Sequence, residues 1–158
     1  MSGRLLITGV DASGRSCAAQ NDRIALRGDA TLEGILYSVL YATPSLPTIS
    51  TGGGRDANIL DLGVPAGALR WALIDYAPGA GFSMHHTDTV DLDVVLSGSV
   101  DLILDDGEHP LAPGDSVVVT GVDHGWRAGP EGCTMAVLLL GTPPPAPSGR
   151  SEETPPSR

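Results

Sequence analysis

The sequence predicts an all-β protein, and three observations carry that prediction. Short segments rich in valine, isoleucine and leucine recur at intervals of about ten residues, and Gly, Pro or Asp separates them. The 21 glycines and 13 prolines supply turn formers, whereas aromatic residues make up only 4% of the 158 residues. Apolar residues amount to 41% and charged residues to 18%, an ordinary balance for a globular domain. A chain of this length is expected to fold around one core.

Alternation of apolar and polar positions identifies the strands. It is clearest at Val100, Leu102 and Leu104, which share one face of a strand. Leu32 to Tyr41 is compatible with a helix as well as a strand, because its apolar positions fit both periods poorly. In chain order, the predicted strands are Arg4 to Thr8, Thr31 to Ala42, Leu69 to Ala77, Gly81 to His86, Asp91 to Ser97, Ser99 to Leu104, Ser116 to Thr120 and Thr134 to Leu140.

Two turns between these strands have a clear physical basis. Asp105-Asp106-Gly107 supplies a tight hairpin turn, because Gly tolerates positive φ. Pro113-Gly114-Asp115 is a second turn, in which Pro fixes one dihedral and Gly takes the strained one. Pro44 to Val64 has few apolar anchors and is predicted to be a long loop. Short strands at this spacing leave two architectures, an immunoglobulin-like sandwich and a jelly-roll barrel.

The charge of the chain excludes several function classes. Nineteen acidic and nine basic residues give a formal net charge of −10, and the basic residues are single arginines. The sequence therefore predicts neither a nucleic-acid partner nor an anionic membrane partner. Apolar runs such as Ala136 to Leu140 are far shorter than the ~20 residues of a membrane helix. We expect a cytoplasmic protein in which Cys17 and Cys133 are inert thiols.

The end of the chain differs in composition from the rest. Thr142 to Arg158 carries six of the 13 prolines and no aliphatic residue larger than Ala, so it cannot add to a core. We predict a single domain over residues 1–141, followed by a Pro-rich flexible tail over residues 142–158.

Histidines are the main chemical signal. His85 and His86 are adjacent on a predicted strand, where alternation directs one of them into the protein. His124 follows the predicted strand Ser116 to Thr120, and His109 lies next to a hairpin, where we expect it to be exposed.

The spacing of these residues resembles that of the cupin family. The first cupin motif is G-x5-H-x-H-x3-E-x6-G, and five residues have its spacing: Gly79, His85, Thr87, Asp91 and Gly98. The Pro113-Gly114-Asp115 turn, followed by Gly121 and His124, is similar to the second cupin motif with a gap one residue shorter. The resemblance covers residues 4 to 141 and implies a cupin-type double-stranded β-helix, that is, a jelly-roll barrel.

The resemblance also implies a metal site at the mouth of the barrel, held in typical members by three His and one Glu. In this chain Thr87 stands at the second His position and Asp91 at the Glu position. Two His and one carboxylate still suffice for Fe(II), and they suit other divalent ions. We therefore predict that His85, Asp91 and His124 hold one divalent metal (Fe, Zn, Mn or Ni), with His86 a poorer substitute because alternation points it outward. Without a metal, the same three residues are the predicted catalytic acid–base groups.

Neighbouring residues allow more than one interpretation. Asp93 is either a second acid in the cavity or a charge on an edge strand, because it faces the same way as Asp91. Trp126 is expected to pack in the core or at the rim, and Phe82 to pack or to line a pocket.

The predicted function is that of a cupin-type enzyme acting on a small molecule. The resemblance favours cyclase, dehydratase or isomerase chemistry on a polyketide-like or other carbonyl substrate in secondary metabolism. The alternatives are an Fe(II)-dependent oxygenase and a non-catalytic cupin that binds a small ligand. The resemblance further implies a homodimer, in which Arg4 to Thr8 is a candidate for exchange between two copies.

Overall fold

The computed structural model describes residues 3–28, 36–42, 46–47, 49 and 64–143, and these residues form strands without any helix. The all-β prediction is therefore confirmed. Ten strands are present in the described residues: β1 (Arg4–Val10), β2 (Ser16–Arg23), β3 (Arg27–Gly28), β4 (Leu36–Tyr37), β5 (Leu69–Tyr76), β6 (Gly81–His85), β7 (Thr89–Leu104), β8 (Gly107–Leu111), β9 (Ser116–Val119) and β10 (His124–Gly141).

Eight of the strands form one sheet in the order β2-β1-β9-β7-β10-β5, to which β6 is added beside β10 and β8 beside β7. The β1–β9 pair is parallel, whereas the other pairs in this sheet are antiparallel. Strands β3 and β4 form a separate two-stranded sheet. The parallel pair joins the start of the domain to a strand more than a hundred residues later.

Two long strands, β7 and β10, form the centre of the sheet. They have 16 and 18 residues, and their register shifts between Ala128 and Cys133. At this shift Gly98 has a φ of 72°, and a Cβ atom there would lie 2.0 Å from the Gly132 carbonyl oxygen. Only glycine tolerates both the dihedral and the close approach of the backbone. Because Gly98 accommodates this geometry, β7 continues through it. The two strands predicted over Asp91 to Ser97 and Ser99 to Leu104 are therefore one strand.

Other strand predictions differ from the structure in their extent. The strand predicted over Thr134 to Leu140 begins at His124, and β2, β3 and β8 lie outside the predicted strands. Strand β2 lacks the alternation of apolar and polar residues that identifies strands, because most of its residues are polar and exposed. Of the predicted strand Thr31 to Ala42, the structure describes residues 36–42 and pairs only Leu36–Tyr37 with β3.

Both predicted turns are present. Gly107 has a φ of 133° and pairs with Leu104 across the hairpin. In the second turn Gly114 has a φ of 90°, and its N–H donates to the Val95 carbonyl oxygen at 2.8 Å. Asp115 completes this turn, since its carboxylate accepts hydrogen bonds from the N–H groups of Arg4 and Ala112 at 2.6 and 2.9 Å. The turn thereby holds the start of β1 against the sheet.

The structure describes both ends of the predicted domain in part. Arg4–Val10 pairs with β2 on one side and β9 on the other side within the same chain, and the homodimer stays a prediction. Thr142, the first residue of the predicted tail, is buried, and its N–H donates to the Asp88 carbonyl oxygen at 3.0 Å. Residues 144–158 and most of the predicted loop Pro44 to Val64 lie outside the described residues. Across the described ranges, no helix has the length and apolar character needed to cross a membrane.

Candidate functional site

A cavity of about 310 Å³ lies inside the barrel and is lined by residues of β5, β6, β7 and β10. Apolar side chains form most of its wall, among them Ile74, Met135 and Leu139. His85, Asp91 and His124, the three predicted site residues, all line this cavity. The structure therefore brings them to one space, although their sequence positions span 40 residues.

Two histidines form one side of the site. His85 at the end of β6 pairs with His124 at the start of β10, and their ring centroids are 4.4 Å apart. His85 Nδ1 lies 2.8 Å from the Ser83 carbonyl oxygen, and His124 Nδ1 lies 2.9 Å from the Val122 carbonyl oxygen. Because a carbonyl oxygen only accepts hydrogen bonds, both Nδ1 atoms carry the proton. Each Nε2 atom is thereby left with a free lone pair.

Burial keeps both imidazoles neutral. It lowers the pKa of His124 to about 3, and the neighbouring His85 acts in the same direction. Burial also lowers the pKa of His85, against the hydrogen bond to Ser83, which raises it. At neutral pH the two rings are therefore hydrogen-bond acceptors and weak bases, not cations.

Two acids on β7 face the same cavity. Asp91 and Asp93 are 6% and 3% exposed, and the Oδ1 atom of each is buried without a hydrogen-bond partner. Burial raises the pKa of Asp91 to about 6, while the Thr89 hydroxyl acts in the opposite direction. Burial, and then the charge of Asp91, raise the pKa of Asp93 well above its usual range. The pair thus retains a proton near neutral pH, and Asp93 is the second acid in the cavity that the sequence left open.

Aromatic side chains frame the two histidines. Phe82 meets His85 edge-on with ring centroids 5.1 Å apart, and Trp126 meets His124 edge-on at 6.0 Å. Trp126 is 7% exposed and belongs to the core, as predicted, and it also lines the cavity, as does Phe82. Burial raises the pKa of Tyr76 to about 12, with a further contribution from Asp93, so this lining phenol stays protonated.

His86 differs from its prediction. Strand alternation places it outward, yet it is 7% exposed, and its Nδ1 atom lies 3.6 Å from Asp123 Oδ1. The reason is that β6 ends at His85, so alternation does not extend to the next residue. His109 was expected in solvent, and it is half-buried, with Nε2 2.8 Å from Asp106 Oδ1. Neither residue lines the cavity.

A divalent metal requires a third protein ligand beside the two histidines. Their Nε2 lone pairs and fixed Nδ1 protons suit metal ligation. However, within the described parts of the chain no group of three or more His, Cys, Asp or Glu side chains lies close enough to hold an ion. Asp91 reaches the cavity from β7, opposite Leu139 of β10, and is one methylene shorter than the Glu of the motif. As arranged, the residues do not fit the three-ligand set, and a metal held by His85, Asp91 and His124 stays a prediction.

Two lining residues add to the sequence-based site. Thr87 replaces a histidine of the motif, and its hydroxyl lies 2.6 Å from the Thr89 hydroxyl, so a buried pair of hydroxyls stands in that place. Arg70 on β5 also lines the cavity, and sequence reasoning missed it. The available signal was alternation in Leu69–Tyr76, which places Arg70 on the same face as Ala72.

Comparisons with known proteins bear on the same region of the chain. Residues 72–140 match the family model described as Cupin domain. The chain is 38% identical over 94 residues to the phomopsin biosynthesis cluster protein C' of Diaporthe leptostromiformis, covering 59% of this chain and 41% of that protein. It is 33% identical over 126 residues to the cupin-domain-containing oxidoreductase srdB of Neurospora crassa, covering 77% of this chain and 63% of that protein.

A solved structure with a partial likeness is the polyketide cyclase RemF from Streptomyces resistomycificus. It has a TM-score of 0.43 and 25% identity, covering 49% of this chain and 57% of that chain. The chain spans less than two thirds of the curated relatives it matches, with 41% of the phomopsin protein and 63% of srdB. The matched segment, residues 72–140, contains the cavity's histidines and acids, so this part of the chain is a cupin domain and the predicted cupin jelly-roll fold is confirmed.

Proposed function

We propose that this chain is a small-molecule enzyme of secondary metabolism that moves a proton next to a carbonyl group, in cyclase, dehydratase or isomerase chemistry. The observation that carries the proposal is the buried pair Asp91 and Asp93, whose Oδ1 atoms have no hydrogen-bond partner in an apolar cavity. Buried carboxylate oxygens without a hydrogen-bond partner are costly to keep, and the raised pKa of Asp91, about 6, suits general acid–base catalysis near neutral pH.

The two acids would share the work of one proton transfer. Asp91, whose raised pKa of about 6 lies near neutral pH, is ionised in a fraction sufficient for it to take a proton from the carbon next to the carbonyl. Asp93 keeps its proton and donates a hydrogen bond to the oxygen on which negative charge develops. Low solvent access strengthens both interactions.

The histidines would bind and orient the substrate. Since both Nδ1 atoms donate to backbone carbonyls, the two Nε2 atoms accept hydrogen bonds from a hydroxyl or enol group. Their low pKa values keep them neutral, so they add no positive charge that would compete for Asp91.

Relatives support the metabolic setting. Two proteins similar to this chain are named for the phomopsin biosynthesis cluster, and a third for the oryzines biosynthesis cluster. Because the match covers only part of each protein, the substrates of those pathways are not transferred to this chain. We propose only the wider class, a carbonyl compound of polyketide-like character.

An oxidoreductase is the second candidate. Two relatives are named cupin-domain-containing oxidoreductases, srdB of Neurospora crassa and fogC of Aspergillus ruber. An Fe(II)-dependent oxygenase of this kind would require His85, Asp91 and His124 to converge on one ion. Elemental analysis of untagged protein, with a His85→Ala, His124→Ala double variant as control, tests this candidate directly. Near-stoichiometric iron that the double variant loses would favour it over proton transfer without a metal.

Exchange of a carbon-bound proton tests the proposed chemistry. In D₂O, the wild-type protein is expected to accelerate deuterium uptake next to the carbonyl of small apolar ketones such as 2-tetralone, measured by NMR. Asp91→Asn removes the base and is expected to lower the rate by roughly 100-fold. Asp106→Asn, which removes an exposed carboxylate beside His109, is the matched control and should leave the rate unchanged.

Two results would contradict the proposal. One is an Asp91→Asn variant as active as the wild type. The other is a wild-type protein that binds these ketones but accelerates no exchange, which favours the non-catalytic ligand-binding cupin. Loss of exchange on treatment with a chelator would mean that the reaction depends on a bound metal and not on the acid pair alone.

A further inference from the structure

Arg70 is the one arginine among the described residues that line the cavity. Of the other described arginines, three have acidic partners, Arg4 with Asp115, Arg15 with Asp11, and Arg127 with Asp101 and Glu108, whereas Arg23 and Arg27 have none but lie outside this cavity. Arg70, in contrast, makes no ion pair or hydrogen bond within the part of the chain that the structure describes. An unpaired cation at the wall of an apolar cavity, in a chain of net charge −10, calls for a ligand of opposite charge.

The sheet register places Arg70 beside the acid pair. Arg70 of β5 and Asp91 of β7 are both opposite Leu139 of β10, so the three residues form one row across adjacent strands. Their backbones are thus two strand spacings apart, about 10 Å. Leu139 separates the two charged side chains, and no ion pair forms between them. A molecule in the cavity therefore meets Arg70 and Asp91 at two different points.

Exposure distinguishes the two ends of this row. Arg70 is exposed to solvent, whereas Asp91 is buried at 6% exposure. A charged group of a ligand can remain partly hydrated while it pairs with Arg70, and so avoids the full cost of burial. The guanidinium also matches a carboxylate in two parallel hydrogen bonds.

We propose that the cavity takes a carbonyl compound with an apolar body and a carboxylate at the end that meets Arg70. Arg70 then determines specificity by binding the carboxylate. The apolar residues of β5 and β10 that line the cavity contact the body of the molecule. This inference rests on the proposed function, because it names the substrate class of the same cavity.

Paired probes of equal shape test the role of Arg70. Calorimetry at neutral pH and low salt would compare 2-naphthoate with its neutral amide, 2-naphthamide, and the Trp126 indole N–H signal would report binding in the cavity. The wild type is expected to bind the carboxylate roughly 10- to 100-fold more tightly than the amide. Arg70→Gln should abolish this preference, because it weakens the binding of 2-naphthoate and leaves that of 2-naphthamide unchanged. Arg70→Lys should retain part of the preference.

Arg127→Gln is the matched control, because it removes the same charge from an exposed position that does not line the cavity. It should keep the full preference, and melting temperatures of all variants should agree with the wild type. Equal binding of acid and amide by the wild type, an unchanged preference in Arg70→Gln, or failure of both probes to bind would each overturn the proposal.

The two proposals fail in different ways. If the preference follows Arg70 while Asp91→Asn exchanges protons at the wild-type rate, the carboxylate class stands and the proposed chemistry is wrong. If Asp91→Asn loses exchange while acid and amide bind equally, the chemistry stands and the substrate class is wrong.

Discussion

The histidine pair and the acid pair share one cavity but are held in opposite ways. His85 and His124 each donate Nδ1–H to a backbone carbonyl two residues earlier in the chain, so the backbone fixes their rings. Asp91 and Asp93 each keep one carboxylate oxygen without a hydrogen-bond partner among the described groups. A satisfied buried group adds to stability, whereas an unsatisfied one lowers it. The proposed function accounts for this difference, because a bound substrate would give the unpartnered oxygens a hydrogen-bond partner.

The largest expected effect comes from the histidine pair. His85→Ala and His124→Ala should each reduce ligand binding or deuterium exchange by roughly 100-fold, because each removes a hydrogen-bond acceptor, Nε2, from the buried cavity. We expect the melting temperature to change little, within about 4 °C for His85→Ala. The measurements are the NMR exchange assay and thermal unfolding.

His109→Ala is the control for these two variants. His109 contacts Asp106 on the surface, so the substitution should change neither activity nor stability. Equal losses in all three variants, or unfolding of the first two, would show that the histidine pair is structural and would remove the contrast with the acids.

In contrast to the histidine substitutions, removal of the Asp91 charge should raise the free energy of unfolding at neutral pH. Asp91 has a pKa raised from 3.8 to about 6, so the folded state holds its proton more tightly than the unfolded state does. The contribution of Asp91 is therefore most favourable below pH 3.8 and is lost as pH rises through about 6. Asp91→Asn should match the wild type at low pH and be more stable by roughly 1–3 kcal/mol at neutral pH.

Chemical denaturation at several pH values measures this difference. Asp106→Asn, which changes an exposed carboxylate, should show no such pH-dependent gain. An Asp91→Asn variant that is less stable than the wild type at neutral pH would mean that the Thr89 hydrogen bond outweighs the cost of burying the carboxylate, and that the two pairs are held alike.

The smallest expected effect concerns the end of the domain. A chain truncated after residue 143 should be as stable as the full chain, whereas truncation after residue 141 removes Thr142 and its two contacts with the Asp88 carbonyl oxygen. The free energy of unfolding should fall by about 1 kcal/mol, the size expected for the loss of a buried hydrogen bond. Because Asp88 precedes β7, a larger loss would show that this contact supports the acid pair as well.

The sequence predicted the parts of the molecule that local chemistry determines. Alternation at Val100 to Leu104 and the turn residues identified the hairpin and the all-β class. Motif spacing identified His85 and His124, because both lie at strand ends beside turns that the sequence marks.

What the sequence missed depends on contacts between distant strands. Arg70 lines the cavity because β5 pairs with β10 in one register, and alternation within β5 indicates the face of Arg70 but not this register. Strand β2 is polar and pairs only with β1, so it lacks the apolar alternation that identifies strands. His86 was placed outward because the end of β6 at His85 was not visible in the sequence.

The parallel pairing of β1 with β9 also has a kinetic consequence. Leu5 lies opposite Ser116, and the Arg4 N–H reaches Asp115 across 111 positions of the chain. Contacts so far apart in sequence close late during folding, since the chain entropy must be lost before they form. We expect β1 to dock after the hairpins of β7, β8 and β10, and to be among the first strands to open in native-state hydrogen exchange. Opening of this strand would leave the cavity walls of β5, β7 and β10 still paired with one another.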